Sequence, residues 1–126
     1  MHELGIANSV LEAVRTEVTR YPGTYPVRVG VRIGEITALD QEALRFCFEA
    51  ITRETQYEQL ELQIELCQRR HRCAACSTEF IVRDYDVRCP NCQSPATTCI
   101  GGEELELSFL EVEEYGTGSA GTKSTQ

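Results

Sequence analysis

Between Leu4 and Arg20, apolar residues recur at gaps of three and four: Leu4, Ala7, Leu11, Val14 and Val18, with Ile6 and Val10 widening the stripe. That spacing predicts one face of an α-helix of about four turns. Tyr21-Pro22-Gly23 stops it, because proline lacks an amide donor and glycine suits a left-handed cap. The period then changes to two. Val27, Val29, Val31 and Ile33 alternate with Arg28, Gly30, Arg32 and Gly34, the pattern of a half-buried strand. Helical spacing returns at Leu39, Ala43, Phe46, Cys47, Ala50 and Ile51. Thr37 or Asp40 can cap this second helix, and Asp40 and Glu42 suit its positive end. Leu60, Leu62, Ile64 and Leu66 alternate with Glu61, Gln63 and Glu65 as a second strand, and Leu105, Leu107 and Phe109 mark a third. After Phe109 the phase slips, since Leu110 and Val112 fall on the other face, and a β-bulge there accounts for it.

Between the second and third strands lie about thirty residues with few aliphatics, too little apolar surface to hold together without a metal. From Gly116 the chain contains only Gly, Ser, Thr, Ala, Lys and Gln. The fold class expected is α+β: two helices packed on a small three-stranded sheet, with an inserted zinc-ribbon-like module. Residues 1–66 plus 103–115 form the α/β domain, 67–102 the zinc-binding module and 116–126 a disordered tail. Because the closing strand follows the insert, the chain is expected as a monomer or as a domain-swapped dimer exchanging that strand.

The hydrophobic fraction of 41% allows a packed core, and no apolar run approaches the length of a membrane span. The start of the chain has no basic region followed by an apolar core, so a cytoplasmic location is expected. The formal net charge is −8, and loading one zinc ion onto four thiolates adds about two more negative charges. Such acidity repels phosphate backbones and argues against a nucleic-acid partner. With only two histidines, neither beside an obvious nucleophile, and no phosphate-binding glycine loop, the chain does not read as an enzyme.

Seven cysteines, an odd number, point to metal ligands or buried thiols in place of a disulfide framework. Cys73-Ala-Ala-Cys76 and Cys89-Pro-Asn-Cys92 are separated by twelve residues. A thiolate pair spaced by two residues grips one edge of a tetrahedron from a tight turn, and two such turns close a zinc shell. The linker carries Phe80-Ile81-Val82, enough for a short hairpin between the turns. A closed four-ligand site leaves zinc no open position for Lewis-acid chemistry, so its role is structural. Cys47 falls on the apolar face of the second helix and reads as a buried thiol, while Cys67 and Cys99 have no assigned metal role. His71, among Arg69, Arg70 and Arg72, reads as part of a solvated basic turn. With Arg83 and Arg88 these arginines surround the cysteines, which makes a zinc-ribbon nucleic-acid or transcription module the rival reading.

The start, Met1-His2-Glu3, offers a second kind of site. A bulky second residue blocks removal of the initiator methionine, so the Met1 amine survives. That amine, the His2 amide nitrogen and the His2 imidazole can chelate one ion through a five- and a six-membered ring, a nitrogen-rich planar set suited to nickel(II) or copper(II). Glu3 can add an amide nitrogen or a carboxylate oxygen. Read from spacing alone, His2 is an exposed residue at a frayed end before it is a ligand.

MHELGIANSVLEAV at the start, LDQEALRFCFE, the paired CxxC turns and a closing strand together resemble the HypA/HybF family of hydrogenase nickel-incorporation chaperones, over almost everything except the tail. The resemblance implies that Ni(II) is transferable cargo bound at His2, with the Met1 amine and Glu3 as helpers, and that residues 1–66 plus 103–115 form a nickel-binding domain. It implies structural Zn(II) at Cys73, Cys76, Cys89 and Cys92. It also implies a HypB-type GTPase as partner and delivery to the large subunit of a [NiFe]-hydrogenase, with urease as a further client.

Overall fold

The computed structural model of the chain describes residues 2–116 and the backbone of residues 122–125. In chain order these form helix α1 (Glu3–Val18), strand β1 (Thr24–Gly34), a 3-10 turn (Glu35–Thr37), helix α2 (Gln41–Thr52) and strands β2 (Glu61–Cys67), β3 (Arg70–Cys73), β4 (Glu79–Ile81), β5 (Thr97–Gly101), β6 (Leu105–Glu114) and β7 (Thr122–Thr125). Two sheets result, ordered β2-β1-β6-β7 and β4-β3-β5. The chain divides into two compact units: residues 1–32, 39–65 and 106–126 form the first, and 33–38 with 66–105 the second. Among the described residues no helix is long and apolar enough to cross a membrane.

In the first unit, α1 buries Ile6, Ala7, Val10, Leu11 and Val14, as its spacing requires, although Leu4 stays half exposed. Gly23, at φ +82°, turns the chain into β1 in a conformation that side chains disfavour. Asp40 is the cap of α2: its Oδ1 accepts from the amides of Glu42 and Ala43 at 2.9 and 3.2 Å, a contact typically worth about 1 kcal/mol. The inward face of α2 differs from the expected stripe. Leu44, Phe48 and Thr52 are buried, whereas Phe46 is 71% exposed. The helix carries two apolar stripes, and burying Leu44 with Phe48 hides more area than burying Phe46 with alanines.

Cross-strand side chains fix the strand directions. Arg28 reaches Glu61 and Arg32 reaches Glu65, so β1 and β2 advance together and run parallel, with α2 as the crossover. Strand β6 runs antiparallel to β1, closing on the bond from the Tyr115 amide to the Gly23 carbonyl at 2.9 Å. Arg28 faces Glu111 and Gly30 faces Phe109, yet Arg32 meets Glu106 where an unbroken register would bring Leu107. One extra residue in β6 between Glu106 and Phe109 absorbs this offset, and this is the bulge that the phase slip requires. Val29, Val31, Leu60, Leu62, Leu110 and Val112 are buried on one side of these strands. On the opposite side Arg28 and Arg32 each bridge two glutamates, and the ring of Phe109 covers Gly30 so closely that a Cβ there would lie 2.1 Å from its Cε1.

Of the expected disordered tail, residues 117–121 and 126 lie outside the described residues, while residues 122–125 form a strand. Thr122–Thr125 pairs antiparallel with β6, setting Leu110 against Thr125 and Glu113 against Thr122. The sheet therefore has four strands where three were expected. Strand β6 would otherwise present a long unpaired edge, and threonine suits a strand that covers one.

The second unit is built on β3, which pairs antiparallel with β4 (His71 with Phe80) and with β5 (His71 with Cys99). The Phe80 segment thus returns to β3, and the linker's tight turn comes later, at Arg83–Asp86. Residues 33–38, which patterning placed with the first domain, belong here. The Gly34 amide donates to the Glu104 carbonyl at 2.7 Å and the Ile36 amide to the Gly102 carbonyl at 2.8 Å. A Cβ on Gly34 would lie 2.0 Å from Gly102 O, so this approach of two backbones requires glycine.

Candidate metal centres

Strand β3 delivers Cys73 at its end, and the chain then turns sharply at Ala74-Ala75 to reach Cys76. The Cys73 amide donates to Thr78 O at 2.9 Å and the Ser77 amide returns to Cys73 O at 2.9 Å. The second turn repeats the first: the Cys89 amide donates to Ser94 O at 3.0 Å and the Gln93 amide to Cys89 O at 2.8 Å. In both turns the residue after the second cysteine is left-handed, Ser77 at φ 65° and Gln93 at φ 67°. The two identical spacings thus fold as two copies of one knuckle.

The knuckles face each other. Cys73 and Cys92 sulfurs lie 3.6 Å apart, as do those of Cys76 and Cys89, and all four lie within 4.8 Å of one another. A tetrahedral zinc–thiolate shell with bonds of about 2.3 Å has edges of about 3.8 Å, so the four sulfurs fit such an ion. Cys73 and Cys89 are buried, while Cys76 and Cys92 face outward.

Hydrogen bonds prepare the sulfurs to be anionic. The Thr78 hydroxyl and amide, then the Asn91 side-chain amide, hold the Cys76 thiol down to about 6. The backbone amide of Cys76 and then that of Ala75 lower Cys73. Cys92 moves up to about 12: the Ser94 amide opposes the rise, but hydrogen bonding with Cys73 and burial outweigh it. A dication bound among the four sulfurs would displace the protons that remain on them. Thr78 and Asn91 carry no mark in the cysteine spacing. The one available signal is the hydroxyl two residues beyond each second cysteine, Thr78 and Ser94.

His71 is corrected from a solvated turn to a buried strand residue, 5% exposed. The period-two order Arg70-His71-Arg72-Cys73 is the strand pattern that says so. The Thr97 hydroxyl donates to Val87 O at 2.6 Å, so it accepts from His71 Nδ1 at 3.0 Å, and Arg69 Nε donates to Nε2 at 3.2 Å. Burial and then the Arg69 charge lower its pKa, so the imidazole is neutral with both nitrogens engaged and no lone pair left for a metal. Cys67 is buried, Cys47 and Cys99 are half buried, and none of the three joins the cluster. The basic patch is largely spent: Arg70 and Arg72 both pair with Glu79, and Arg88 with Asp86.

At the other end, Met1 lies outside the described residues. His2 is exposed and occupies the cap position of α1, where its carbonyl accepts from the Ile6 amide at 3.1 Å and its side chain makes no capping bond. A cap residue's own amide lies outside the helical ladder, so neither that nitrogen nor the imidazole is committed to the helix. Glu3 is anchored: its Oε2 accepts from the Asp40 amide at 3.1 Å, and this bond chiefly lowers its pKa.

A two-helix α+β unit carried with a four-thiol double knuckle defines a small metal-binding protein of zinc-ribbon type. The profile of a family described as hydrogenase/urease nickel incorporation metallochaperone, HypA, matches residues 1–112. Over 113 residues the chain is 37% identical to hydrogenase maturation factor HypA of Desulfatibacillum aliphaticivorans, covering 89% of this chain and 87% of that protein. It is 38% identical over 113 residues to its counterpart in Geobacter metallireducens, covering 90% of this chain and 100% of that one. The solution structure of the nickel metallochaperone HypA from Helicobacter pylori is similar at a TM-score of 0.60 and 26% identity, over 87% of this chain and 96% of that one. The chain belongs to the HypA family of nickel metallochaperones, maturation factors that are not enzymes. The nucleic-acid reading is accordingly set aside.

Proposed function

We propose that this protein binds Ni(II) through the Met1 amine, His2 and Glu3 and hands it on for maturation of a [NiFe]-hydrogenase, while Zn(II) at Cys73, Cys76, Cys89 and Cys92 keeps the second unit folded. The observation that carries the nickel assignment is His2: an exposed imidazole at the start of α1 that the helix does not use as a cap. Its nitrogen donors and open surroundings suit an ion that must be released, whereas the closed sulfur cage suits one that must stay. The partners are a HypB-type GTPase and the hydrogenase large subunit, with urease as a second client, in the cytoplasm. Glu3 contributes through its backbone nitrogen, since its carboxylate is held by Asp40.

Calorimetric titration of zinc-loaded protein with nickel tests this assignment. His2→Ala is expected to lose high-affinity binding, as is protein acetylated at the Met1 amine, because acetylation removes that donor. Equal nickel affinity in all three forms overturns it.

A further inference from the structure

Helix α2 turns Leu44, Phe48 and Thr52 inward and leaves Phe46 and Ala50 exposed, with Ala43 and Cys47 half buried beside them. Phe46 lies on the pole opposite those residues and is 71% exposed, an unusual position for a phenylalanine in a water-facing helix. Glu42 stands four residues before it and Glu49 three after, so both carboxylates flank the ring along the helix surface. Both are exposed, and neither has an ion pair among the described residues.

This surface begins at the nickel end of the molecule. The Glu3 carboxylate is bonded to the Asp40 amide, so the start of α1 abuts the start of α2. Phe46 follows six residues later, about 9 Å along the helix axis. Leu4, next to Glu3, is itself 50% exposed and continues the apolar character toward the N-terminus.

We propose that the Phe46 face of α2 is the docking surface for the GTPase partner, and that this partner offers an apolar pocket rimmed by lysine or arginine. Charge complementarity selects this occupant. A second copy of the chain, with its net charge of −8, would set carboxylates against carboxylates, whereas a cationic rim pairs with Glu42 and Glu49 while the pocket takes the ring. Docking there holds the partner's own ligands beside His2 during transfer.

The inference rests on the proposed chaperone function, with the HypB-type GTPase as the probe. Affinity for that protein is measured with wild type, Phe46→Ser, Ala50→Arg and the double variant Glu42→Gln/Glu49→Gln, alongside nickel titration and circular dichroism of each. Phe46→Ser and Ala50→Arg are expected to weaken docking at least tenfold with helix content and nickel affinity unchanged. The glutamine pair is expected to weaken it less and to flatten its dependence on salt. Wild-type docking that survives Phe46→Ser and Ala50→Arg undiminished overturns the surface and leaves the chaperone function standing. No docking by wild type overturns the assigned partner and the surface together.

Discussion

Stripping the metal from the cysteine cage should unfold the second unit and leave the first intact. In the second unit, Ile33 and Val82 are the only buried aliphatic side chains among the described residues; the other buried apolar side chains are cysteines. Burying these two is worth about 3–6 kcal/mol. A structural zinc in four thiolates is worth about 10–16 kcal/mol at neutral pH, as much as the whole stability of a typical domain, about 5–15 kcal/mol. Losing it removes the dominant stabilising contribution to that unit. The first unit keeps Val14, Val29, Leu44, Phe48 and Leu110, each 2% exposed or less. Amide hydrogen exchange read by mass spectrometry separates the two. In the zinc form the amides of Cys73, Ala74, Ser77, Val82, Cys89 and Gln93 are hydrogen bonded and should be protected. After chelation, or in Cys89→Ser, they should exchange as in an unstructured chain while those of Ile6 and Leu44 stay slow. Cys47→Ser should change neither zinc content nor protection. Persistent protection of the knuckle amides in metal-free protein would falsify the view that metal, not packing, holds this unit.

Gly30→Ala should destabilise the first unit by about 1–3 kcal/mol, because the new methyl meets the Phe109 ring. Urea unfolding of the cycle Gly30→Ala, Phe109→Ala and the double variant should give a coupling of at least about 1 kcal/mol, and strictly additive penalties contradict the contact. Asp84 and Tyr85 both have positive φ, 52° and 61°, at the centre of the Arg83–Asp86 turn. Tyr85→Gly should therefore stabilise the second unit by about 1 kcal/mol, seen as slower exchange of the Val82 amide. The Asp86 carboxyl is held down to about 2, first by hydrogen bonds from the Arg88 side chain and then by the Arg88 amide. A depressed folded-state pKa stabilises above the ordinary carboxylate value of about 3.9, and that contribution is lost as pH falls from there through about 2. A carbon-detected titration should place the midpoint near the lower value, and Arg88→Gln should move it up.

Legibility followed how much of each element's identity is local. Helix α1, strands β1 and β2 and the irregularity in β6 could be read because their buried faces repeat in the sequence, although the slip read after Phe109 set the bulge later than its place between Glu106 and Phe109. Helix α2 was legible in extent and cap but not in orientation, since Phe46 and Phe48 each complete an apolar stripe and only packing chooses between them. Strands β3 and β5 escaped because Arg70–Cys73 and Thr97–Gly101 hold few aliphatic residues. Their pairing is imposed by the knuckles at Cys73 and Cys89 and by His71 bonding to Thr97. Strand β7 escaped because its polar composition suits solvent, and only an open edge on β6 gives it a place. The four cysteines were legible because two short turns suffice to bring them together. Thr78 and Asn91 tune Cys76, and the sequence marks them only by the hydroxyl two residues beyond the second cysteine and by the place of Asn91 within the second CxxC.

The separation of a sulfur site from a nitrogen site is tested most directly by nickel K-edge X-ray absorption on protein carrying one zinc and one nickel per chain, at neutral pH. Only nitrogen and oxygen scatterers around nickel, with that signal lost in His2→Ala, is the expected result. Sulfur at bonding distance from nickel, or a spectrum indifferent to His2, contradicts it.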